Sequence, residues 1–173
     1  PAAAQAAAQD GVSTAEDLRS VMLTEAPAAS VIVMAAAVAD YRPAEVSASK
    51  IKKDAVGDEL TLQLVRNPDI LRELVDQRRD GQCIVGFAAE TEPDRDALLT
   101  IARAKVARKG ADALVVTRVG WTDTFGSPDN SVVILGHTGD VLAVAEGSKS
   151  AVADSVLDMI VSLHRQNPED GTE

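Results

Sequence analysis

The chain has 173 residues, a net charge of −10, and 46% hydrophobic but only 2% aromatic residues. That length suits one domain with a core of Val, Leu, Ile and Ala, and no apolar run reaches the roughly 18 residues that a membrane helix needs. The acidity argues against a nucleic-acid polymer as partner, because phosphate contacts dominate such affinity, but leaves room for a small phosphorylated ligand held by a few lysines.

The start, "PAAAQAAAQD", has no basic segment followed by a long apolar one, so no signal peptide is expected. Cys83 is the lone cysteine and sits in an apolar run. It reads as a small core residue, and a cytoplasmic, reducing setting fits.

"STAEDLRSVMLTEAP" predicts a helix, with Ser13 and Glu16 as a capping box and Pro27 beyond its end. "SVIVMAAAV" is a continuous apolar run, expected for a strand buried on both faces. "ELTLQLV", Glu59 to Val65, alternates like a half-exposed strand. "NPDILRELVDQRR" predicts a helix with Asn67 as N-cap and Pro68 in its first turn. "QCIVGFAAE" and "DALVVTRV" are two more apolar strands. Between them "DRDALLTIARAKVARKG" predicts a helix with acids first, bases last and Gly110 as its stop. "NSVVILG" and "DVLAVAEG" flank His137-Thr138-Gly139 as a hairpin. "SKSAVADSVLDMIVSLHRQ" closes as an amphipathic helix, and residues 167–173 read as a disordered tail.

Buried strands alternating with helices predict a Rossmann-like three-layer αβα fold, with a mainly parallel sheet and a C-terminal β-hairpin. Residues 1–166 read as a single domain. Ligands in such folds bind beyond the carboxyl ends of strands, which points to Ala36–Asp40, Phe87–Glu90 and Thr117–Trp121.

Those places hold the candidate chemistry. Asp40 is either a turn-former before Pro43 or a polar group at the mouth of a ligand site. Lys50, Lys52 and Lys53 lie ten or more residues later in a long loop. They read as a solvated charge run, or as a lid that closes over a polyphosphate. Lys105 and Lys109 fall about 20° either side of Leu98 on a helical wheel, so both continue the apolar stripe. They are stems snorkelling at a helix end, or ammonium groups aimed inward at an anion. Phe87 ends an apolar strand, where it is core or a platform for a base. The "NPDI" turn offers backbone N–H groups at a helix start to an anion or a base edge, while Asp69 in that turn is also ordinary helix chemistry. His137 and His164 read as surface residues. No Walker loop, no Gly-x-Gly-x-x-Gly and no zinc spacing occurs.

Taken together, "MAAAVADYRPAEVSASKIKK", "LVRNPDIL", "VGFAAET", "ARAKVARKGAD" and "SPDNSVVIL" resemble phosphopantothenate–cysteine ligase in its bacterial, CTP-using form, over about Ser13 to Leu163. The resemblance implies a carbon–nitrogen ligase of coenzyme A biosynthesis. The carboxylate of 4′-phosphopantothenate attacks CTP to give an acyl-cytidylate, which cysteine then captures. It implies that Ala36 and Asp40 bind the nucleotide, that Lys50 is the lid lysine meeting the triphosphate, and that Pro68, Asp69, Ile70 and Leu71 line cytosine and ribose. Phe87 belongs to the nucleotide pocket, with Lys105 and Lys109 as its helix lysines. Mg²⁺ is expected on the phosphates, without a protein metal cage. A homodimer pairing through strands beside the site is implied, as is a fused phosphopantothenoylcysteine decarboxylase in the full-length protein.

Two departures accompany the resemblance. The family's Gly-rich start with its Asn-x-Ser-Ser-Gly-Lys segment has no counterpart here, so the chain reads as truncated at its N-terminus. That opens an alternative: a CTP-binding domain unable to finish the reaction without that segment. Thr117 also stands where the family usually has Asn.

Overall fold

The computed structural model describes residues 11–52, 54, 57–119 and 129–166. They fall into two compact units, one from residues 1–21 and 38–69, the other from 22–37 and 70–173.

The second unit is built on a five-stranded sheet. Strands β1 (Val31–Met34), β4 (Cys83–Glu90) and β5 (Ala113–Arg118) run parallel, β1 against β4 and β4 against β5. Strands β6 (Asp129–Gly136) and β7 (Val141–Ser148) extend the sheet antiparallel, in the order β1-β4-β5-β6-β7. The parallel part, the αβα layering and the terminal hairpin are as predicted. The hairpin turns at Gly139, whose φ of +87° suits glycine, and Gly136 N–H donates to Asp140 O at 2.9 Å.

Strand alternation sorts the core into two faces. Cys83, Val85, Ala113, Val115 and Ile134 pack with Val152, Val156, Met159 and Ile160 of one helix, α4 (Lys149–Gln166). Leu114, Val116 and Leu135 pack on the opposite face with Leu98, Ala102 and Val106 of α3 (Arg95–Lys109). Helix α2 (Ile70–Asp76) buries Ile70, Leu71 and Leu74. Among the described residues no helix is long and apolar enough to cross a membrane.

Helix α3 follows its sequence signals closely. Asp94 is the N-cap, accepting from Ala97 N–H at 2.8 Å, and Gly110 closes the helix with φ +72°. Where side chains have work elsewhere, the boundaries move. Helix α1 (Ala15–Glu25) is capped one residue later than predicted. Thr14 Oγ1 accepts from Asp17 N–H at 3.1 Å, while Asp17 Oδ2 accepts from Thr14 N–H at 3.0 Å and from the Ser13 hydroxyl at 2.9 Å. These hydrogen bonds, the Ser13 hydroxyl first, hold the exposed Asp17 carboxyl below the usual range.

Strand β1 stops at Met34 and is not buried on both faces: Val33 is 40% exposed, because β1 is an edge strand of the sheet. The helix expected from Asn67 begins only at Ile70, because the Asn67 side chain is used across the chain and not as a cap.

The first unit carries a two-stranded ribbon, β2 (Tyr41–Pro43) antiparallel to β3 (Leu64–Arg66). The strand predicted over 59–65 is therefore mostly outside any ladder. Pro43 has no N–H to give, and only Ala44 N–H continues the pairing, to Gln63 O at 2.8 Å. Leu60, Leu62 and Leu64 form an exposed apolar row.

Candidate functional site

Parallel pairing of β1, β4 and β5 brings their carboxyl ends to one edge of the sheet. Glu90 stands level with Arg118, and Met34 with Gly86. Ala36, just past β1, and Thr117, near the end of β5, lie at this edge, as the strand-end rule predicts. Phe87 does not end its strand as the sequence suggests: the apolar pairing continues, β4 runs on to Glu90, and Phe87 pairs with Val115. Gly120 and Trp121, and the Ser127-Pro128 part of the fifth matching segment, lie outside the described residues.

Helix α3 runs back along the sheet and offers two lysines. Both are half-buried, on the face that also buries Leu98, Ala102 and Val106. Side chains on a helix lean toward its N-terminus, which here is the strand-end side. Lys105 reaches Glu90, the last residue of β4, and forms an ion pair with its carboxylate. The two side chains are 32% and 15% exposed. Lys109 lies one turn further along α3, about 6 Å farther from the strand ends.

Phe87 is 38% exposed, and alternation sets it on the face of Val85, opposite Ala88 and Glu90. Lys105 and Phe87 thus stand on different faces of β4. Ile70 and Leu71 are 3% and 6% exposed. Their side chains are core, so their contribution to a ligand would be through backbone groups. Leu71 packs on Gly86, where a side chain at 86 would collide with it.

In the first unit, Asp40, Lys50 and Lys52 are exposed, and Lys53 lies outside the described residues. The turn bearing Asp40 is held by Asn67, whose type and place before Pro68 suggest a helix cap. Asn67 N–H donates to Asp40 O at 2.8 Å, and Asn67 Nδ2 donates to Ala39 O at 2.8 Å. Arg42 donates to Asn67 Oδ1 at 3.0 Å and to Arg66 O at 3.0 Å. Pro68 and Asp69 follow directly. No local pattern announces these contacts, since the partners lie 25 and 28 residues apart.

Thr117 has a definite job in this structure. Its hydroxyl donates to Asn130 Oδ1 at 2.9 Å, and the same oxygen accepts from Ser131 N–H. The amide of Asn130 is therefore held across β5 and β6. His137 is exposed as expected, whereas His164 is half-buried, with Nδ1 shielded from solvent.

A cleft of about 210 Å³ opens beside the first turn of α3, with Leu98, Val116 and Val132 on its walls and Arg95, Arg118 and Glu146 among its polar groups. None of the residues that the sequence singled out for the nucleotide lines it. Among the described residues no three His, Cys, Asp or Glu side chains converge to hold a metal.

A mainly parallel sheet between helices, with polar residues gathered at its strand ends, defines a Rossmann-like αβα protein. The chain belongs to the family described as DNA/pantothenate metabolism flavoprotein C-terminal domain, which matches residues 2–163. It is 44% identical over 157 residues to the coenzyme A biosynthesis bifunctional protein CoaBC of Mycobacterium bovis, a match that covers 88% of this chain and 37% of that protein. The chain thus spans little more than a third of that relative's length. Among solved structures, the C-terminal domain of a CoaBC protein aligns with TM-score 0.67 at 26% identity, covering 90% of this chain and 67% of that one. A Cab2 variant in complex with phosphopantothenate-cysteine shares the fold, with TM-score 0.66 at 17% identity, covering 90% of this chain and 52% of that one.

Proposed function

We propose that this chain is the CTP-dependent phosphopantothenate–cysteine ligase part of a cytoplasmic coenzyme A biosynthesis protein, fused in its full-length form to a phosphopantothenoylcysteine decarboxylase. One observation carries the reading: a lysine, Lys105, stands half-buried on an apolar helix face at the carboxyl end of β4. In this structure Glu90 meets its charge, which leaves two ammonium donors for a further anion, and CTP is the anion that the sequence resemblance implies.

In the proposed reaction the carboxylate oxygen of 4′-phosphopantothenate attacks the α-phosphorus of CTP. The bond from that phosphorus to the bridging oxygen breaks, and pyrophosphate leaves with the electron pair. The amine of cysteine then attacks the acyl carbon, CMP leaves, and the amine gives up a proton. Lys50 and Lys105, with Lys109, would balance the charge that develops on the departing phosphates. Ala36, Asp40 and Phe87, with the Pro68–Leu71 backbone, would hold the nucleoside. Mg²⁺, where bound, would arrive on phosphate oxygens and neutralise them. A homodimer belongs to the same proposal. Among the described residues β7 is the outer strand of the sheet, and its open edge is what such pairing would use.

Thermal unfolding with Mg²⁺ and excess CTP, against ATP, tests the nucleotide. Ligand at about a hundred times its Kd stabilises by about 2.7 kcal/mol. A shift with CTP alone is expected, followed by pyrophosphate release when phosphopantothenate is added. CTP binding without pyrophosphate release would favour the incomplete-domain alternative, and no shift with either nucleotide would count against the reading.

A further inference from the structure

Glu90 closes the strand-end stretch Phe87–Glu90, and its side chain is only 15% exposed. It is the last residue of β4, and alternation turns it to the α3 side with Ala88. Its Oε1 is shielded from solvent and has no hydrogen-bonding partner among the described residues beyond the Lys105 ammonium it pairs with. A carboxylate held this way gives up hydration for a single cation. Removing water from such a pair costs about as much as the attraction returns, so stability alone is a weak reason for it.

Lys105 supplies a better reason. Its stem has four rotatable carbons, and an ammonium at its end carries three donors that can point anywhere. A fixed carboxylate takes one of those donors and leaves two for another anion. We propose that Glu90 is a positioning residue, which holds the Lys105 ammonium in place for the phosphates of the nucleotide. This rests on the CTP ligase reading above.

Two effects of removing the charge pull apart. Glu90→Gln keeps the shape of the side chain and makes the site more positive by one, so simple attraction for a polyphosphate does not fall. What falls is the precision of the ammonium, which matters most when charge builds on the leaving phosphate. The steady-state rate of pyrophosphate release is measured with CTP, phosphopantothenate and cysteine, in the natural full-length protein that carries this chain.

The expected result is a kcat roughly tenfold lower for Glu90→Gln, with KM for CTP unchanged within about twofold or lower. Glu90→Asp, which keeps the charge on a shorter arm, should recover most of the rate. Unaltered kcat in Glu90→Gln overturns the proposal. So does a rise of KM in step with the loss of rate, or a Glu90→Asp no better than Glu90→Gln. Loss of folding in Glu90→Gln, read by thermal unfolding, overturns it by making Glu90 a structural residue. A wild-type protein that releases no pyrophosphate from CTP overturns the ligase reading itself, and this proposal with it.

Discussion

Gly86 and Leu71 meet with no space for a side chain between them. A Cβ on Gly86 would collide with Leu71 Cδ2 and stand 3.2 Å from Leu114 Cδ1. Gly86 has no unusual backbone conformation to explain it, so the close approach of α2 to β4 is its reason. Gly86→Ala should destabilise the protein by about 1–3 kcal/mol, measured by urea unfolding. Because Leu71 is the neighbour that must yield, Leu71→Ala should recover part of the loss in the double variant. Simple addition of the two costs would refute the contact.

Asp112 fastens the amino-terminal end of the same sheet. Its Oδ2 accepts from Ile84 N–H at 2.7 Å and its Oδ1 from Arg78 at 2.9 Å, while Arg78 also donates to Gly110 O at 2.8 Å. Asp112 is only 15% exposed, so its removal strands a buried N–H and a half-buried guanidinium. Asp112→Ala should cost about 2–3 kcal/mol, and Asp112→Asn less, since it keeps an acceptor. Equal stability of Asp112→Ala and wild type in urea would contradict this.

How far the sequence could be read follows the range of the interactions. Asp94 and Gly110 bound α3 through contacts three or four residues away, and such signals are legible. Strands β4 and β5 are legible because burial on both faces leaves a plain apolar run. The edge position of β1 depends on which strands pair, and nothing in "SVIVMAAAV" states that. Asn67 is the same kind of case: its type and its place before Pro68 suggest a cap, and only the fold brings Ala39 and Arg42 within its reach. The site was half legible. The wheel position of Lys105 betrayed an inward cation, but its partner Glu90 could be named only once β4 and α3 were laid side by side. A carboxylate ending an apolar strand, next to a helix with an inward lysine, was the available signal.

Cys83 is inaccessible to solvent, and burial, with the Asp112 charge adding to it and Arg78 opposing, pushes its thiol up from 9.0 to about 11. The raised value means that the native state favours the protonated thiol. Its contribution to stability is complete below about pH 9 and fades as pH rises toward about 11, because the unfolded thiol ionises first. Unfolding free energies measured from pH 8 to 11 should fall more steeply for wild type than for Cys83→Ala. At pH 8 the thiol should resist alkylation until urea unfolds the chain. Rapid labelling of the native protein would place the thiol at the surface.

On the proposed function, Asn67 and Lys50 separate holding the site from touching the ligand. Asn67 ties the Asp40 turn to β3 by its own backbone and side chain, whereas Lys50 is exposed on the loop beyond. Asn67→Ala should therefore lower stability by about 1 kcal/mol and weaken CTP binding as the turn loosens. Lys50→Ala should leave stability within about 0.5 kcal/mol, since an exposed lysine without special packing contributes little. On the proposed function it should still weaken CTP, because a charge-assisted contact to phosphate is worth about 1.5–3 kcal/mol, or roughly tenfold to a hundredfold in Kd. Calorimetric titration with CTP and urea unfolding of both variants read the two quantities separately. If Lys50→Ala bound CTP as well as wild type, the loop lysine would be a solvated charge, and the phosphate contacts would have to come from α3.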